Sequence, residues 1–548
     1  MRRLPVRRLS LAVVIATAPL LLGLLTAAGS SAPSVATFSP TKAPTGATVT
    51  VTGHGFADAG GVRFGGRDAA FRIVSDSRIE ATVPSGAASG PIQVETPGAM
   101  LQSPGSFDYV PPNIVFILTD DQRFDELDHM PFVQSDLIGD GVQFTDGLIS
   151  DPLCCPSRAT ILTGTYSHTN GIYTNVNSTG GFGRFRDKTT IATVLHAQGY
   201  DTGLIGKYLN GYQPKNAAYI PPGWDRWFAL TTLKYLNFTV SDQGKETQYA
   251  SKKNYLTDIL GQQAVNFVNS APTGKPLFLY WAPYAPHGGA VPAKKYAHTF
   301  DNLPPLRPPN YNEQDVSDKP AYVRAIPPWT QAQMAEGDVF RQRQYACLLS
   351  VDDWVKAIVN ALSATGRLSN TLFVYLGDNG HPIGEHRLDT PDDPHEKLSP
   401  YMESLKVPFI VRWSAAGWTV PRVDGQHIVS NVDVAQTMAS AAGTTMPGNE
   451  GLNMLPLLAD PTTPWRTELL IEHGVDQRYV PAYCGVVTSG FEYTQYSTGE
   501  EELYDLTNDP YELQNAVNNP AYASVLTQLR TDDHTLCHPV PPGFTWTH

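Results

Sequence analysis

The chain has 548 residues and a formal net charge of −13, and 41% of its residues are hydrophobic and 17% charged. This composition excludes a disordered protein, and the length predicts two or three domains. The acidic balance argues against general nucleic-acid binding, which needs a basic face, so we expect no nucleic-acid partner.

Residues 1–31 have the pattern of a signal peptide. Arginines precede the apolar run LSLAVVIATAPLLLGLL, and the small residues TAAGSSA follow it. A membrane anchor is the alternative because the run approaches spanning length, but the small residues favour cleavage. We therefore predict a secreted protein with no integral membrane segment after cleavage. Export uses the Sec route or, given Arg7-Arg8, the twin-arginine route.

Residues 34–110 alternate apolar and polar side chains between glycines and prolines, which predicts a small all-β sandwich. The phrases SPTKAPTGATVTVTGHGF and ATVPSGAASGPIQVET resemble the TIG (IPT) immunoglobulin-like module. Nothing in this segment has a catalytic pattern, so we expect a spacer or weak binding module. Val110-Pro111-Pro112 predicts a stiff linker to the next domain.

Residues 112–415 contain short apolar runs that predict buried strands, with amphipathic helices between them. The runs are 113–118, 202–205, 277–282, 372–376 and 408–411. Polar residues follow the first four runs: Asp120 with Asp121, then Lys207, then His287, then Asp378 with Asn379. Because α/β sheets place their sites beyond the carboxyl ends of strands, we expect these residues to share one pocket.

The segment DPLCCPSRATILTG, residues 151–164, carries the sharpest pattern. If the segment has only a structural role, it consists of two buried cysteines before a helix that ends at Gly164. Its Cys-x-Pro-Ser-Arg core resembles the motif of type I sulfatases, in which the first cysteine is oxidised to formylglycine. One residue must separate that cysteine from Pro156, so the spacing assigns the modification to Cys154, with Cys155 as filler.

The resemblance to sulfatases continues in order along the chain. NIVFILTDDQ, PYAPHGG and LGDNG resemble conserved elements of the family, and ELYDLTNDPYELQN resembles its C-terminal subdomain, here 416–548. GKYLNGY and YIPPGWDRW are similar to the branch of N-acetylglucosamine-6-sulfatases and extracellular heparan sulfatases. The resemblance implies an alkaline-phosphatase-like α/β fold. A mixed, mostly parallel sheet would be sandwiched by helices, with a small C-terminal α+β subdomain.

The resemblance also implies the site. The metal ligands would be Asp120, Asp121, Cys154, Asp378 and Asn379, and oxygen ligands suit Ca²⁺ or, alternatively, Mg²⁺. Arg158 would hold the metal and the formylglycine together, Lys207 and Lys397 would contact sulfate, and His287 would protonate the leaving alcohol. A serine nucleophile would stall as a stable sulfate ester, whereas a hydrated aldehyde can expel sulfate and restore its carbonyl.

One position departs from the family pattern. Many sulfatases have Lys-x-His where this chain has Lys207-Tyr-Leu209, so another base must help to expel sulfate. We predict His168 for this role, with a structural role as the alternative. His381 and His386 lie beside LGDNG, residues 376–380, which resembles the second metal turn of the family, and we expect them to be solvated loop histidines.

These expectations describe a sulfuric ester hydrolase that acts on O-sulfated amino sugars such as glucosamine 6-sulfate units, or on aryl sulfates. A formylglycine-generating enzyme would be its partner during maturation. The alternatives are a phosphodiesterase or phosphonate hydrolase of the same superfamily and a non-catalytic carbohydrate-binding protein. Cys484 and Cys537 are candidates for a disulfide in an exported protein.

Overall fold

The computed structural model describes residues 32–176, 178–388, 396–417, 422–475 and 480–547. The predicted signal peptide lies outside these ranges. Within them, no helix is both long enough and apolar enough to cross a membrane.

Residues 34–110 form nine strands in two facing sheets. The strands are β1 (Ser34–Ser39), β2 (Lys42–Pro44), β3 (Thr48–His54), β4 (Gly61–Phe64), β5 (Arg67–Asp68), β6 (Phe71–Ser75), β7 (Arg78–Thr82), β8 (Gly90–Thr96) and β9 (Ala99–Val110). One sheet has the order β1-β3-β7-β6 and the other β2-β9-β8-β4-β5. Alternate residues such as Val49, Val51 and Ile79 are fully buried, which confirms the predicted all-β sandwich.

A ten-stranded sheet forms the centre of the next region. Its ten strands are β10 (Asn113–Thr119), β11 (Val142–Phe144), β13 (Asp201–Gly206), β14 (Arg226–Leu230), β15 (Phe238–Asp242), β16 (Lys245–Tyr249), β17 (Leu277–Ala282), β18 (Thr371–Gly377), β19 (Phe409–Arg412) and β20 (Arg422–Asp424). Two further strands, β12 (Gly147–Leu148) and β21 (Val429–Ser430), form a separate two-stranded sheet. The order in the ten-stranded sheet is β16-β15-β14-β13-β17-β10-β18-β19-β11-β20. Its centre is parallel, whereas β15, β16 and β19 pair antiparallel, which confirms the predicted mixed sheet. Strand β20 follows the predicted domain boundary at residue 415 but belongs to this sheet.

Helices cover both faces of the large sheet because successive side chains of a strand point to opposite faces. The helices of the chain are α1 (Cys154–Thr163), α2 (Ser167–Asn170), α3 (Ile191–Ala197), α4 (Leu256–Ser270), α5 (Ala321–Arg324), α6 (Gln331–Ala364), α7 (Met402–Leu405), α8 (Asp433–Ala441), α9 (Leu455–Ala459) and α10 (Ala523–Leu536). Helices α1, α3, α8 and α9 pack on the face with Ile114 and Phe116. Helices α4 and α6 pack on the face with Val115 and Ile117. The continuous apolar run of β10 is therefore buried on both sides.

Several shorter helical segments connect these elements. The 3₁₀ segments are Phe124–His129, Pro214–Asn216, Leu368–Asn370, Glu396–Leu398, Ser414–Ala416 and Pro520–Tyr522, and Val133–Ile138 is π-helical. The first of them directly follows the loop after β10, and Glu396–Leu398 carries Lys397. These two segments therefore help to determine where the polar residues at the sheet edge lie.

The C-terminal part is a four-stranded antiparallel sheet with a helix on it. The strands are β22 (Glu468–His473), β23 (Tyr483–Thr488), β24 (Phe491–Tyr496) and β25 (Glu501–Asp505). Leu526 and Leu529 of α10 pack against this sheet. A disulfide joins Cys484 on β23 to Cys537, directly after α10. The predicted α+β subdomain is confirmed.

The N-terminal sandwich touches the region of the large sheet at the end of α8. The Tyr109 hydroxyl donates to the carbonyl of Ala441 at 3.1 Å. Gly443 lies so close that a Cβ there would meet the Ala87 carbonyl oxygen at 2.9 Å. The Asn370 side chain donates to the carbonyl of Pro111 at 3.3 Å, which holds the predicted linker against the large sheet.

Candidate active site

Four neighbouring strands end at one edge of the large sheet, and polar residues follow each end. Asp120 and Asp121 follow β10, Lys207 follows β13, His287 lies in the loop after β17, and Asp378 with Asn379 follows β18. Parallel pairing aligns these strand ends. Asp120 also forms an isolated bridge with Pro286, which draws the loop after β17 against the end of β10. The edge therefore gathers the polar residues that the sequence predicts to share one pocket.

Cys154 is the first residue of α1, and its side chain points at this edge. It is 1% exposed. Its Sγ lies 3.7 Å from Asp120 Oδ1, 3.9 Å from Asp121 Oδ1 and 3.5 Å from Lys397 Nζ. Burial raises the pKa of the Cys154 thiol to about 12, although Lys207 and Lys397 oppose the shift. The thiol is therefore protonated at neutral pH and is a weak nucleophile in that form.

Three buried cation–carboxylate pairs surround Cys154. Lys207 Nζ donates to Asp120 Oδ1 at 2.8 Å, Lys397 Nζ to Asp121 Oδ1 at 2.6 Å, and Arg158 Nε to Asp378 Oδ2 at 2.8 Å. Burial alone would raise the pKa values of Asp120 and Asp121, but the neighbouring cations outweigh it and lower both. The three positive charges balance the three negative charges, which reduces the cost of burying them.

Arg158 and Asp378 position this group from beneath. Arg158 is fully buried, and its Nη1 donates to the carbonyl of Lys207 at 2.9 Å. Asp378 Oδ1 accepts the backbone N–H of Asp121 at 3.0 Å. Asp121 has a φ of 59°, a conformation that non-glycine residues adopt rarely and that surrounding contacts must hold. Burial and the charge of Asp120 raise the pKa of Asp378 to about 6, although Arg158 opposes the shift.

The group offers donor atoms that fit a metal ion. Asp120, Asp121, Cys154 and His287 each contribute one ligand atom, and these atoms lie within 4.8 Å of one another. Asn379 Oδ1 is buried and has no hydrogen-bond partner among the described residues, while its Nδ2 donates to Asp121 Oδ1 at 2.8 Å. Carboxylate and amide oxygens are the ligands that hard divalent cations prefer. The buried acidic cluster therefore fits a divalent cation.

His287 stands on the other side of the carboxylates, where a second side chain orients its ring. Its Nε2 lies 3.4 Å from Asp121 Oδ2, and its Nδ1 lies 2.8 Å from the hydroxyl of Tyr284. Burial lowers the pKa of His287, although Asp121 and Asp120 oppose the shift. With Nδ1 held by Tyr284, Nε2 faces the carboxylates and the space above them, as a proton donor to a bound ligand must.

A cavity of about 790 Å³ opens above this group. Asp121, His287 and Lys397 contribute to its lining. Trp329 and the α6 residue Arg343 form part of the wall. The cavity thus combines a charged floor with an aromatic ring and one further cation, which suits a small ligand with anionic substituents.

His168 lies in a different group of side chains. Its Nδ1 is 3.1 Å from Glu472 Oε1, its Nε2 is 3.8 Å from Glu450, and its ring stacks on Tyr166. The left-handed turn at Gly164 directs the chain toward β22, where Glu472 is located. Among the described contacts none joins His168 to Cys154, so the predicted role as base has no support from geometry.

The histidines near the second metal turn are buried, which corrects the expectation of solvated loop residues. His381 is 4% exposed and His386 is fully buried. His386 Nδ1 lies 2.7 Å from Glu313 Oε2, and its ring stacks on Tyr401. Glu313 and Tyr401 thus enclose His386, and no local pattern in the sequence reveals that packing.

Sequence reasoning also missed two residues that support the site. Tyr284 precedes His287 by three residues in PYAPHGG, so its closeness to His287 in the sequence could have indicated that the two side chains interact. Asn175 accepts the backbone N–H of Cys155 on its Oδ1 at 2.9 Å and lines the cavity. No spacing or motif marks Asn175, because only the fold of its loop brings it to α1.

Comparison with known families agrees with this arrangement. The sulfatase family model matches residues 112–444, the model of the N-sulphoglucosamine sulphohydrolase C-terminal region matches 393–536, and the IPT/TIG domain model matches 33–109. The first match covers more than half of the chain. The chain therefore belongs to the sulfatase family, a family of sulfuric ester hydrolases.

Individual relatives agree with the family assignment. The N-acetylglucosamine-6-sulfatase of Homo sapiens is 32% identical over 387 residues, which are 67% of this chain and 68% of that protein. An extracellular sulfatase Sulf-1 homolog of Caenorhabditis elegans is 33% identical over 383 residues, so the chain spans 52% of that relative's length. A solved structure of a protein in complex with its substrate, D-glucosamine-2-N,6-O-disulfate, aligns with a TM-score of 0.67 at 22% identity. The alignment covers 78% of this chain and 97% of the chain in the solved structure, and it confirms the predicted fold class.

Proposed function

We propose that this chain is a secreted sulfatase that releases sulfate from O-sulfated amino sugars, with glucosamine 6-sulfate units as its substrate class. The observation that carries the proposal is the buried group around Cys154, in which three cations and an imidazole meet below one cavity. The names of the human and nematode relatives support the sugar and the extracellular location. The ligand in the related solved structure supports the same substrate class.

Maturation converts Cys154 to formylglycine, and a formylglycine-generating enzyme is the partner that does this. Formylglycine with a divalent cation, Ca²⁺ or alternatively Mg²⁺, supplies the nucleophile and neutralises sulfate charge. Asp120, Asp121, Asp378 and Asn379 hold the cation. Arg158 keeps this group in place through its bonds to Asp378 and to the Lys207 carbonyl.

Lys207 and Lys397 bind the peripheral oxygens of the sulfate group. Their ammonium groups pair with the two carboxylates beside Cys154, and a divalent cation held by those carboxylates would free both positive charges to face sulfate. Fixed cations in a buried site stabilise the charge of the transition state because they need no reorganisation. Arg343 on the cavity wall is positioned to pair with a second anionic group of the sugar.

His287 donates a proton to the leaving alcohol, and Tyr284 positions it. A sugar alkoxide is a poor leaving group, so proton transfer matters for the natural substrate more than for an aryl sulfate. Leu209 is buried in the apolar core and cannot assist. Since no described contact joins His168 to Cys154, the role of the base that helps to expel sulfate is also assigned to His287.

The test is a substrate panel applied to full-length protein produced together with a formylglycine-generating enzyme. The panel contains glucosamine 6-sulfate, glucosamine 3-sulfate, galactose 6-sulfate and 4-nitrophenyl sulfate, with released sulfate measured by ion chromatography. We expect glucosamine 6-sulfate to give the highest kcat/KM. Peptide mass spectrometry should show aldehyde oxygen in place of sulfur at Cys154 and an unmodified Cys155.

Two neighbouring substitutions provide the matched control. Cys154→Ser should abolish turnover, whereas Cys155→Ala should retain activity within about threefold, since Cys155 meets Asn175 only through its backbone N–H. Full activity with an intact Cys154 thiol would contradict the proposed nucleophile. Fully converted, metal-loaded protein that releases no sulfate from any ester would contradict the proposed function.

A further inference from the structure

A second cavity, of about 960 Å³, lies beyond the other end of α1. Thr163, the last residue of α1, lines it, and nine residue steps separate Thr163 from Cys154, or about 14 Å along the helix. The cavity is larger than the one above Cys154 and lies at the upper end of the range of about 300–1,000 Å³ that is usual for ligand sites. We call it the basic groove.

The groove is positively charged in a protein of net charge −13. Arg184, Arg186 and Lys215 line it, all three are exposed, and no Asp or Glu is among the described residues that line it. None of the three cations has an ion pair among the described residues. Three unpaired cations around one concave surface create a local positive potential despite the net negative charge of the whole protein.

The acidic residues beside the groove are already bound elsewhere. Asp187 Oδ2 accepts the hydroxyl of Tyr219 at 2.6 Å. Glu450 accepts the backbone N–H of Tyr166 at 2.7 Å and the hydroxyl of Thr169 at 2.7 Å. Both carboxylates keep their charge, but among the described residues neither forms an ion pair with Arg184, Arg186 or Lys215, so the three cations remain available to an anionic ligand.

The groove also offers surface for sugar rings. Phe182 and Phe185 line it and are half-buried, with both rings resting against Tyr208. Aromatic rings provide apolar area for the C–H face of a pyranose, while their partial burial keeps them rigid. Cations together with aromatic rings favour a sulfated sugar chain over a simple inorganic anion.

A single loop separates the groove from the cavity above Cys154. Asn175 lines the cavity above Cys154, and Val176, the next residue, lines the groove. The two cavities thus adjoin the same loop, and binding of one sugar chain to both requires the chain to cross this loop, with one sulfate at Cys154 and its neighbours in the groove.

We propose that the basic groove is an extended binding site for the sulfated polysaccharide on which the enzyme acts. The inference rests on the proposed sulfatase function, because it concerns further units of that same substrate. The groove increases affinity for long chains and leaves the chemical step at Cys154 unchanged. Small sulfate esters do not reach it.

The test compares two triple variants that remove the same number of charges. The groove variant carries Arg184→Gln, Arg186→Gln and Lys215→Gln. The control carries Lys245→Gln, Lys252→Gln and Lys253→Gln, at exposed positions outside the groove. Both are assayed on 4-nitrophenyl sulfate and on size-defined heparan sulfate oligosaccharides. Binding of the same oligosaccharides to each Cys154→Ser form is measured by calorimetry, which needs no turnover.

The groove variant should raise KM and Kd for octasaccharides roughly tenfold, as three exposed charge contacts would, with kcat and the 4-nitrophenyl sulfate kinetics unchanged. The control should match wild type. Equal values for groove variant and wild type on octasaccharides would overturn the proposal while leaving the sulfatase function intact. Equally tight binding of poly-glutamate by the wild-type groove would also overturn it, because the site would then be a general polyanion site. If no ester is hydrolysed by any form, the proposed function fails, and calorimetry still decides whether the groove binds the glycan.

Discussion

Glu126 is a buried carboxyl that supports the loop carrying Asp120 and Asp121, and its substitution by glutamine should remove a strong pH dependence of stability. Glu126 is fully buried, and its Oε2 accepts the backbone N–H of Arg123 at 3.1 Å. Arg123 in turn donates to the carbonyl of His381 at 2.7 Å. Burial, with a further contribution from Asp125, raises the pKa of Glu126 from 4.5 to about 8.

The magnitude follows from the difference between the folded and unfolded pKa values. The difference of about 3.5 units, 8 minus 4.5, corresponds to about 5 kcal/mol at 1.36 kcal/mol per unit. Between these values the folded protein keeps the proton and the unfolded chain has lost it, so stability falls as pH rises from 4.5 to 8. Glu126→Gln keeps a neutral side chain of the same shape throughout and does not lose this stability.

The assay is the unfolding midpoint of the full chain, followed by tryptophan fluorescence in urea at fixed ionic strength between pH 5 and pH 8.5. The advantage of Glu126→Gln over wild type should grow by about 1.4 kcal/mol per pH unit up to pH 8. Glu246→Gln, at an exposed position on β16, is the control and should show a constant difference. A difference between Glu126→Gln and wild type that does not change with pH would refute the reasoning.

Two further predictions concern the support of the site. A lysine in the Arg158→Lys variant cannot keep the bonds to both Asp378 and the Lys207 carbonyl. The kcat should therefore fall at least about 100-fold, and the protein should lose about 3 kcal/mol of stability. A kcat near the wild-type value would contradict the positioning role of Arg158. Deleting residues 32–109 should leave kcat on 4-nitrophenyl sulfate within about twofold but lower the thermal midpoint, because the surface around Ala441 loses its cover. A kcat loss above tenfold would show that the sandwich shapes the site.

The sequence by itself determined the features that depend on local pattern. The buried strands of the sheet show as apolar runs, and residues such as Asp120 and Lys207 follow them directly, so their convergence follows from the rule for parallel sheets. The spacing of Cys154, Pro156 and Arg158 lies within a single helix. These positions are specified by neighbours in the chain, and the sequence displays those neighbours.

Only the tertiary structure decided the features that depend on distant segments. His168 contacts Glu472, 304 residues later in the chain, and no described contact joins it to Cys154. His386 is buried because Glu313 and Tyr401 enclose it, and Tyr109 ties the sandwich to Ala441 across 332 residues. Such contacts arise when separate elements pack together, and packing couples residues whose separation along the chain carries no periodic signal. The contacts of such side chains are therefore set by the fold around them rather than by the neighbouring sequence.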